Sequence, residues 1–66
     1  MQVFVNDELL DGAWNTLGDV LVSNGMNETK GIAVAVNNEV VPKHKWSEFD
    51  LDEKDKILII KAAAGG

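Results

Sequence analysis

Short segments along this chain have the residue pattern of a β-strand, and one stretch between them has helical spacing instead. The strand pattern covers five segments, namely residues 2–5, 8–10, 32–36, 39–41 and 57–60. The last segment is apolar on both faces, as expected of a strand at the centre of a sheet. A pair of turn-forming residues separates the first segment from the second and the third from the fourth, which predicts two hairpins.

The stretch with helical spacing lies between the two predicted hairpins. Its apolar positions 17, 20 and 21 recur at i, i+3 and i+4 and therefore form one face of a helix. Thr16 and Asp19 occupy the two positions of a capping box, although Glu or Gln is the stronger partner of Thr, so the helix is predicted to begin there. Gly25 is predicted to end it, because glycine readily adopts the left-handed conformation that follows many helices. Residues 43–49 are predicted to be irregular.

The element order β-β-α-β-β-β predicts an α+β domain over residues 1–61, with a mixed sheet of four to five strands packed on one helix. The odd-numbered positions of the first and last strands then face the helix. Phe4, Leu58 and Ile60 lie on the uncovered face, with two alanines of the middle strand nearby. Since an exposed apolar patch usually marks a protein contact, these three side chains are predicted to bind a partner.

Composition narrows the classes of function that a 66-residue chain can serve. It has no cysteine and one histidine, His44, so disulfides and thiolate metal sites are excluded and no metal site is predicted. Six lysines against eleven acidic residues give a net charge of −5, which argues against a nucleic-acid partner. We see neither an apolar run long enough for a membrane nor a signal segment, so a cytoplasmic protein is expected. A chain of this size favours a carrier, a binding module or a subunit over a free-standing enzyme.

The sequence ends Ala62-Ala63-Ala64-Gly65-Gly66, directly after the predicted central strand. Such an ending is either a frayed terminus or a slim segment that enters the active site of another protein. Five extended residues reach about 16–18 Å, and no side chain larger than a methyl group obstructs them. In the second case the reactive group is the α-carboxylate of Gly66. Gly65 leaves the approach to that carboxylate open, and the three alanines contact the partner.

A longer pattern of residues resembles a known family. It comprises residues 32–37, then Val40-Val41-Pro42-Lys43 and Trp46, then residues 55–60 and the small-residue ending. Together with the element order, these segments resemble the ubiquitin-like β-grasp proteins, and most closely the ThiS family, the sulfur carriers of thiamine biosynthesis.

Two positions depart from the pattern of that family. Glu53-Lys54-Asp55 stands where the family usually has Asp-Gly-Asp, and Lys43 stands where it frequently has arginine. The first departure concerns the geometry of a turn. The second concerns a contact with a partner, because lysine and arginine are not interchangeable at bidentate sites.

The resemblance implies a β-grasp domain with a flexible tail over residues 62–66, acting as a co-substrate rather than as an enzyme. A ubiquitin-activating-like adenylyltransferase would adenylate Gly66 with ATP and Mg²⁺. A persulfide sulfur donor would convert the adenylate to a thiocarboxylate, and a thiazole synthase would use that sulfur to form the thiazole of thiamine. The carrier itself would bind no cofactor and would be a monomer when free.

Three alternatives remain open on the sequence. The first is the small β-grasp carrier subunit of molybdopterin synthase, which tends to have a proline-containing segment where this chain has residues 62–64. The second is another ubiquitin-like sulfur carrier, usually from a longer chain. The third is a β-grasp interaction module that carries nothing, against which the acidic charge and the terminal Gly65-Gly66 both count.

Overall fold

Five strands form one mixed sheet with a single α-helix packed on one face, in a computed structural model that describes residues 1–25 and 31–61. The elements are β1 (Gln2–Val5), β2 (Glu8–Asp11), α1 (Leu17–Ser23), β3 (Ile32–Val36), β4 (Glu39–Val40), a 3₁₀ helix (Lys43–Glu48) and β5 (Lys56–Lys61). The strand order across the sheet is β2-β1-β5-β3-β4. Strands β1 and β5 are parallel, and the other neighbouring pairs are antiparallel. The predicted α+β class and the central place of the last strand are confirmed.

Both hairpins turn through two residues in the left-handed conformation. In the first turn φ is 50° at Asn6 and 69° at Asp7, and in the second it is 52° at Asn37 and 71° at Asn38. Two consecutive positive φ angles define a type I′ turn, whose twist matches that of the flanking strands. Asn and Asp tolerate this conformation better than other residues with a Cβ, so these pairs determine where each hairpin folds back.

Helix α1 begins with the predicted capping box. The Thr16 hydroxyl accepts a hydrogen bond from the Asp19 N–H at 3.3 Å, and the Asp19 carboxylate accepts from the N–H groups of Thr16 at 3.1 Å and Asn15 at 3.0 Å. The helix ends after seven residues, at Ser23. Gly25 follows with φ of +73°, in the left-handed conformation predicted for it.

The core lies between α1 and the sheet. The buried apolar side chains are Val3, Leu17, Val20, Leu21, Val34, Val36, Val41, Trp46, Leu51, Ile57 and Ile59. They include the three apolar positions of the helix and the odd-numbered positions of β5, as the alternation predicts, whereas Val5 is half-buried. Within residues 1–25 and 31–61, no helix has the length and apolar character needed to cross a membrane.

The prediction of an irregular segment over residues 43–49 was wrong, because Lys43–Glu48 form a 3₁₀ helix. Its anchor is Trp46, which is buried and donates its indole N–H to the carbonyl of Val41 at 2.8 Å. The 3₁₀ helix packs closely on α1 at Gly18, where an added Cβ would lie 3.2 Å from the Cα of Ser47. Tertiary contacts therefore hold this segment in a helical conformation that its local sequence pattern does not indicate.

We predict that the capping box makes the stability of the protein sensitive to acid. The hydrogen bonds from the N–H groups of Asn15 and Thr16 lower the pKa of Asp19. Because the folded state prefers the ionised carboxylate, its stabilising effect is complete above the pKa of an unfolded aspartate, about 3.9, and is lost as the pH falls below that value. The substitution Asp19→Asn should lower the midpoint of thermal unfolding at about pH 7, and the difference from the unmodified protein should shrink at about pH 2.

The matched control is Asp7→Asn, which removes the same charge from an exposed turn and retains a residue that tolerates positive φ. A loss of stability that is equal for the two variants, or a loss at Asp19 that does not change with pH, would contradict the prediction.

Candidate functional site

The face of the sheet opposite α1 exposes apolar side chains from all five strands, and we call this group the uncovered apolar face. Its members are Phe4, Leu9, Ala33, Ala35, Val40, Leu58 and Ile60. The register shows that they share one face, since residues paired across neighbouring strands point to the same side of a sheet. Phe4 pairs with Leu9, and Leu58 pairs with Ala35.

The three side chains predicted to bind a partner lie on this face. Leu58 is 48% exposed and Ile60 is 53% exposed, and Phe4 beside them is half-buried. The side chains of β5 therefore alternate between two environments. Ile57 and Ile59 lie in the core, and the even-numbered positions face solvent. The result is an exposed apolar surface on the last strand before the small-residue ending.

Sequence reasoning missed two large members of the uncovered apolar face, Leu9 and Val40. They lie on the two edge strands and are 44% and 70% exposed. The signal that finds them is the turn length. A two-residue turn at Asn6-Asp7 places Phe4 opposite Leu9, and one at residues 37–38 places Ala35 opposite Val40. The apolar surface therefore extends across the full width of the sheet.

A groove of about 270 Å³ lies beside the first residues of β5 and is lined by residues of both hairpin turns, of β1 and of β5. Phe4 and Leu58 contribute apolar walls to it, and Asp7 and Lys56 contribute one charge of each sign. An apolar centre with polar margins is the usual anatomy of a surface that contacts another protein.

The start of β5 is held by the turn in which the sequence departs from the family pattern. Lys54 has φ of +69°, so a residue with a Cβ occupies the left-handed position that the usual glycine of the family would adopt easily. Its N–H donates to the carbonyl of Gln2 at 2.6 Å and its ammonium donates to the Gln2 side chain at 2.7 Å. The N–H of Gln2 donates in turn to the Glu53 carboxylate at 2.7 Å. This departure leaves β5 in the centre of the sheet.

The end of β5 leads into the predicted reactive segment. Lys61, the last residue of the strand, pairs with Ile32 at the start of β3. The residues predicted to react with or contact a partner there are Ala62, Ala63, Ala64, Gly65 and Gly66, and all five lie outside the described residues.

The remaining candidate groups are dispersed over the surface. His44 is exposed on the 3₁₀ helix, as is Lys43, the position where the family frequently has arginine. In the described part of the chain, no three His, Asp or Glu side chains are close enough together to hold a metal ion. Trp46 is buried in the core and Trp14 is half-buried against it, so both indoles serve packing.

Comparisons with known proteins agree with this architecture. A family model described as the ThiS family matches residues 1–66. The curated "Sulfur carrier protein ThiS" of Escherichia coli (strain K12) is 29% identical over 66 residues, which cover all of this chain and all of that protein.

Two solved structures share the fold. A crystal structure of a thiamine biosynthesis protein (ThiS) from Geobacter metallireducens superposes with a TM-score of 0.80 at 20% identity, and the match covers 100% of both chains. A solution structure of a thiamine biosynthesis protein from the same organism gives a TM-score of 0.77 at 20% identity, covering 100% of this chain and 88% of that one. The ubiquitin-like β-grasp fold predicted from the sequence is confirmed.

We predict that Lys54→Gly stabilises the protein. Left-handed backbone costs a residue with a Cβ about 1–2 kcal/mol, and glycine avoids this cost but loses about 0.5–1 kcal/mol through its freedom in the unfolded chain. The matched comparison is Lys54→Ala, which also removes the ammonium contact with Gln2 but keeps the Cβ. Chemical denaturation should show the glycine variant to be the more stable of the two by about 0.5–1 kcal/mol. Equal stabilities would contradict the prediction, because the strain relieved by glycine would then only offset its greater freedom in the unfolded chain.

Proposed function

Because this chain belongs to the ThiS family of sulfur carriers, we propose that it carries sulfur as a thiocarboxylate on Gly66 and donates it for the thiazole of thiamine. The observation that carries the proposal is the family match over residues 1–66, which includes the terminal Gly65-Gly66. The exposed apolar side chains on β5, the strand that leads into this ending, support it.

The first step of the proposed reaction activates the carboxylate. The α-carboxylate of Gly66 attacks the α-phosphorus of ATP in a ubiquitin-activating-like adenylyltransferase, which forms an acyl adenylate and releases pyrophosphate. Mg²⁺ in that partner neutralises charge on the phosphates. Activation is needed because a carboxylate oxygen is a poor leaving group, whereas AMP is a good one.

The second step loads sulfur. The terminal sulfur of a protein persulfide attacks the acyl carbon of Gly66, the bond from carbon to the adenylate oxygen breaks, and AMP leaves. A thiol then takes the remaining donor sulfur as a disulfide and releases the thiocarboxylate. This chain has no cysteine, so every thiol in the sequence of steps belongs to a partner. The thiocarboxylate is the form from which a thiazole synthase would take sulfur.

The chain's own contribution is recognition and presentation rather than catalysis. The uncovered apolar face, with Phe4, Leu58 and Ile60 at its centre, docks on the partners. The three alanines occupy the partner's channel, and Gly65 gives access to the terminal carbonyl because it has no Cβ. Binding energy at the face thereby holds the carboxylate next to ATP, which raises its effective concentration.

We predict that incubation with an adenylyltransferase of this class, ATP, Mg²⁺ and a persulfide donor exchanges one carboxyl oxygen for sulfur. The measurement is the intact mass, which should rise by the difference between sulfur and oxygen. The matched control is a chain that lacks Gly65-Gly66 but keeps the uncovered apolar face, and its mass should not change. No mass gain in the complete chain, or an equal gain in the shortened one, would overturn the proposed function.

We also predict that Leu58→Asp weakens association with the same adenylyltransferase by about tenfold or more, as expected for a buried apolar contact at the centre of an interface. The monomer should stay folded, because Leu58 is 48% exposed and its substitution leaves the core unchanged. Ile60→Asp should behave in the same way.

The control variant for that experiment is Val22→Asp, since Val22 is 61% exposed on α1, on the other side of the sheet. Its affinity for the partner should remain within about twofold of the unmodified chain. Unfolding of the Leu58 variant would show that this side chain belongs to the core, and equal weakening in the two variants would show that the uncovered apolar face does not bind the partner.

A further inference from the structure

The two hairpin turns make side-chain hydrogen bonds to the same strand, β5. Asn37, in the turn between β3 and β4, accepts a hydrogen bond from the N–H of Lys56 at 3.0 Å and donates to the Asp55 carboxylate at 2.9 Å. Asn6, in the turn between β1 and β2, bonds to the backbone of Ile59. Each turn therefore uses an asparagine amide to fix β5, one at its first residue and the other near its last.

The Asn6 amide acts as an additional rung of the parallel ladder between β1 and β5. Strand β1 ends at Val5, which is paired with Ile57, so regular pairing stops before Ile59. Beyond that point the backbone N–H of Asn6 donates to the Ile57 carbonyl at 2.9 Å. Its side-chain oxygen accepts from the Ile59 N–H at 2.8 Å, and its side-chain nitrogen donates to the Ile59 carbonyl at 3.2 Å. An amide side chain thus offers the donor and the acceptor that a further strand residue would offer.

The contact between Asn6 and Ile59 lies on the strand that connects the docking face to the predicted reactive segment. Ile59 lies between Leu58 and Ile60, the two exposed apolar residues of β5, and two residues before the end of the strand. On its other side, β5 pairs with β3 as far as Lys61. The Asn6 amide therefore supports β5 from the second side at Ile59.

We propose that Asn6 is a positioning residue, which fixes β5 at Ile59 so that Lys61, at the end of the strand, is held at a set distance and direction from the docking face. This inference rests on the function proposed above, because it matters only if Gly66 reacts in a partner that is docked on the uncovered apolar face. The side-chain amide of Asn6 bonds to the backbone of Ile59. It acts through the backbone of β5, since a small displacement of a reacting group away from its optimal geometry lowers the rate of a step strongly.

Three variants separate this role from a general loss of structure. Asn6→Gly removes the amide and accommodates the positive φ of 50°. Asn6→Asp keeps an oxygen that accepts the Ile59 N–H and also tolerates positive φ. Asn37→Gly is the matched control, because it removes the corresponding amide from the corresponding turn position, with φ of 52°, at the opposite end of β5.

The first measurement is amide hydrogen exchange by NMR, which needs no partner. Exchange of the Ile59 amide should be about tenfold faster in Asn6→Gly than in the unmodified chain, as expected for the loss of one hydrogen bond, and should be restored to within about threefold in Asn6→Asp. In Asn37→Gly the faster exchange should be found at Lys56 instead. Unchanged exchange at Ile59 in Asn6→Gly would overturn the proposal.

The second measurement is the rate at which the adenylyltransferase releases pyrophosphate, as a function of carrier concentration. We expect kcat to fall about fivefold in Asn6→Gly, because the carboxylate is no longer presented correctly. KM should stay within about twofold, because the docking face is unchanged. Asn6→Asp should recover kcat, and Asn37→Gly should leave both constants unchanged. A raised KM without a change in kcat, or equal effects at Asn6 and Asn37, would overturn the positioning role.

Failure of this inference and failure of the proposed function give different results. If the unmodified chain is not adenylated at all, the proposed function fails and the positioning role fails with it, whatever the exchange data show. If the unmodified chain is adenylated and Asn6→Gly reacts at the same rate, the positioning role alone is wrong.

Discussion

The structure depends on the pairing of its last strand with its first. Strand β5 lies between β1 and β3, so its backbone is hydrogen-bonded on both sides while Ile57 and Ile59 are buried under α1. A parallel pair needs a long connection between its strands, and here that connection contains the helix and the second hairpin. Without β5 the two hairpins would have no common neighbour, and α1 would lose the centre of the surface on which it packs.

In this arrangement the two faces of β5 lie in different surroundings. Because side chains alternate across a strand, the odd positions of β5 stabilise the fold and the even positions, Leu58 and Ile60, remain available for contact. Substitutions of Leu58 and Ile60 therefore leave the buried side chains of the strand in place. A single layer of sheet thus supplies both the wall of the core and the outer surface.

Much of the fold could be predicted because its signals are local. The capping box of Thr16 and Asp19, the polar pairs at both hairpins and the alternation in β5 each indicate an element and the face it buries. The 3₁₀ helix could not be predicted, because it depends on the buried indole of Trp46 and on the contact with Gly18, which lie far from one another in sequence. The chemistry proposed for the ending was inferred from its residue types and from the family resemblance. The side-chain bonds of Asn6 to Ile59, across 53 positions of sequence, depend on a parallel register that no local pattern reveals.

The parallel pairing of β1 with β5 joins residues that are far apart in the sequence. Contacts between residues so far apart close only after most of the chain is available, and such non-local pairing is slow compared with hairpin and helix formation. During synthesis the first hairpin and α1 emerge before their central neighbour exists. Leu58 and Ile60 share one face with Phe4 and Ala35 only when β5 is paired with both β1 and β3. A protein that bound this surface would therefore contact only chains in which β5 is already paired with both of its neighbours.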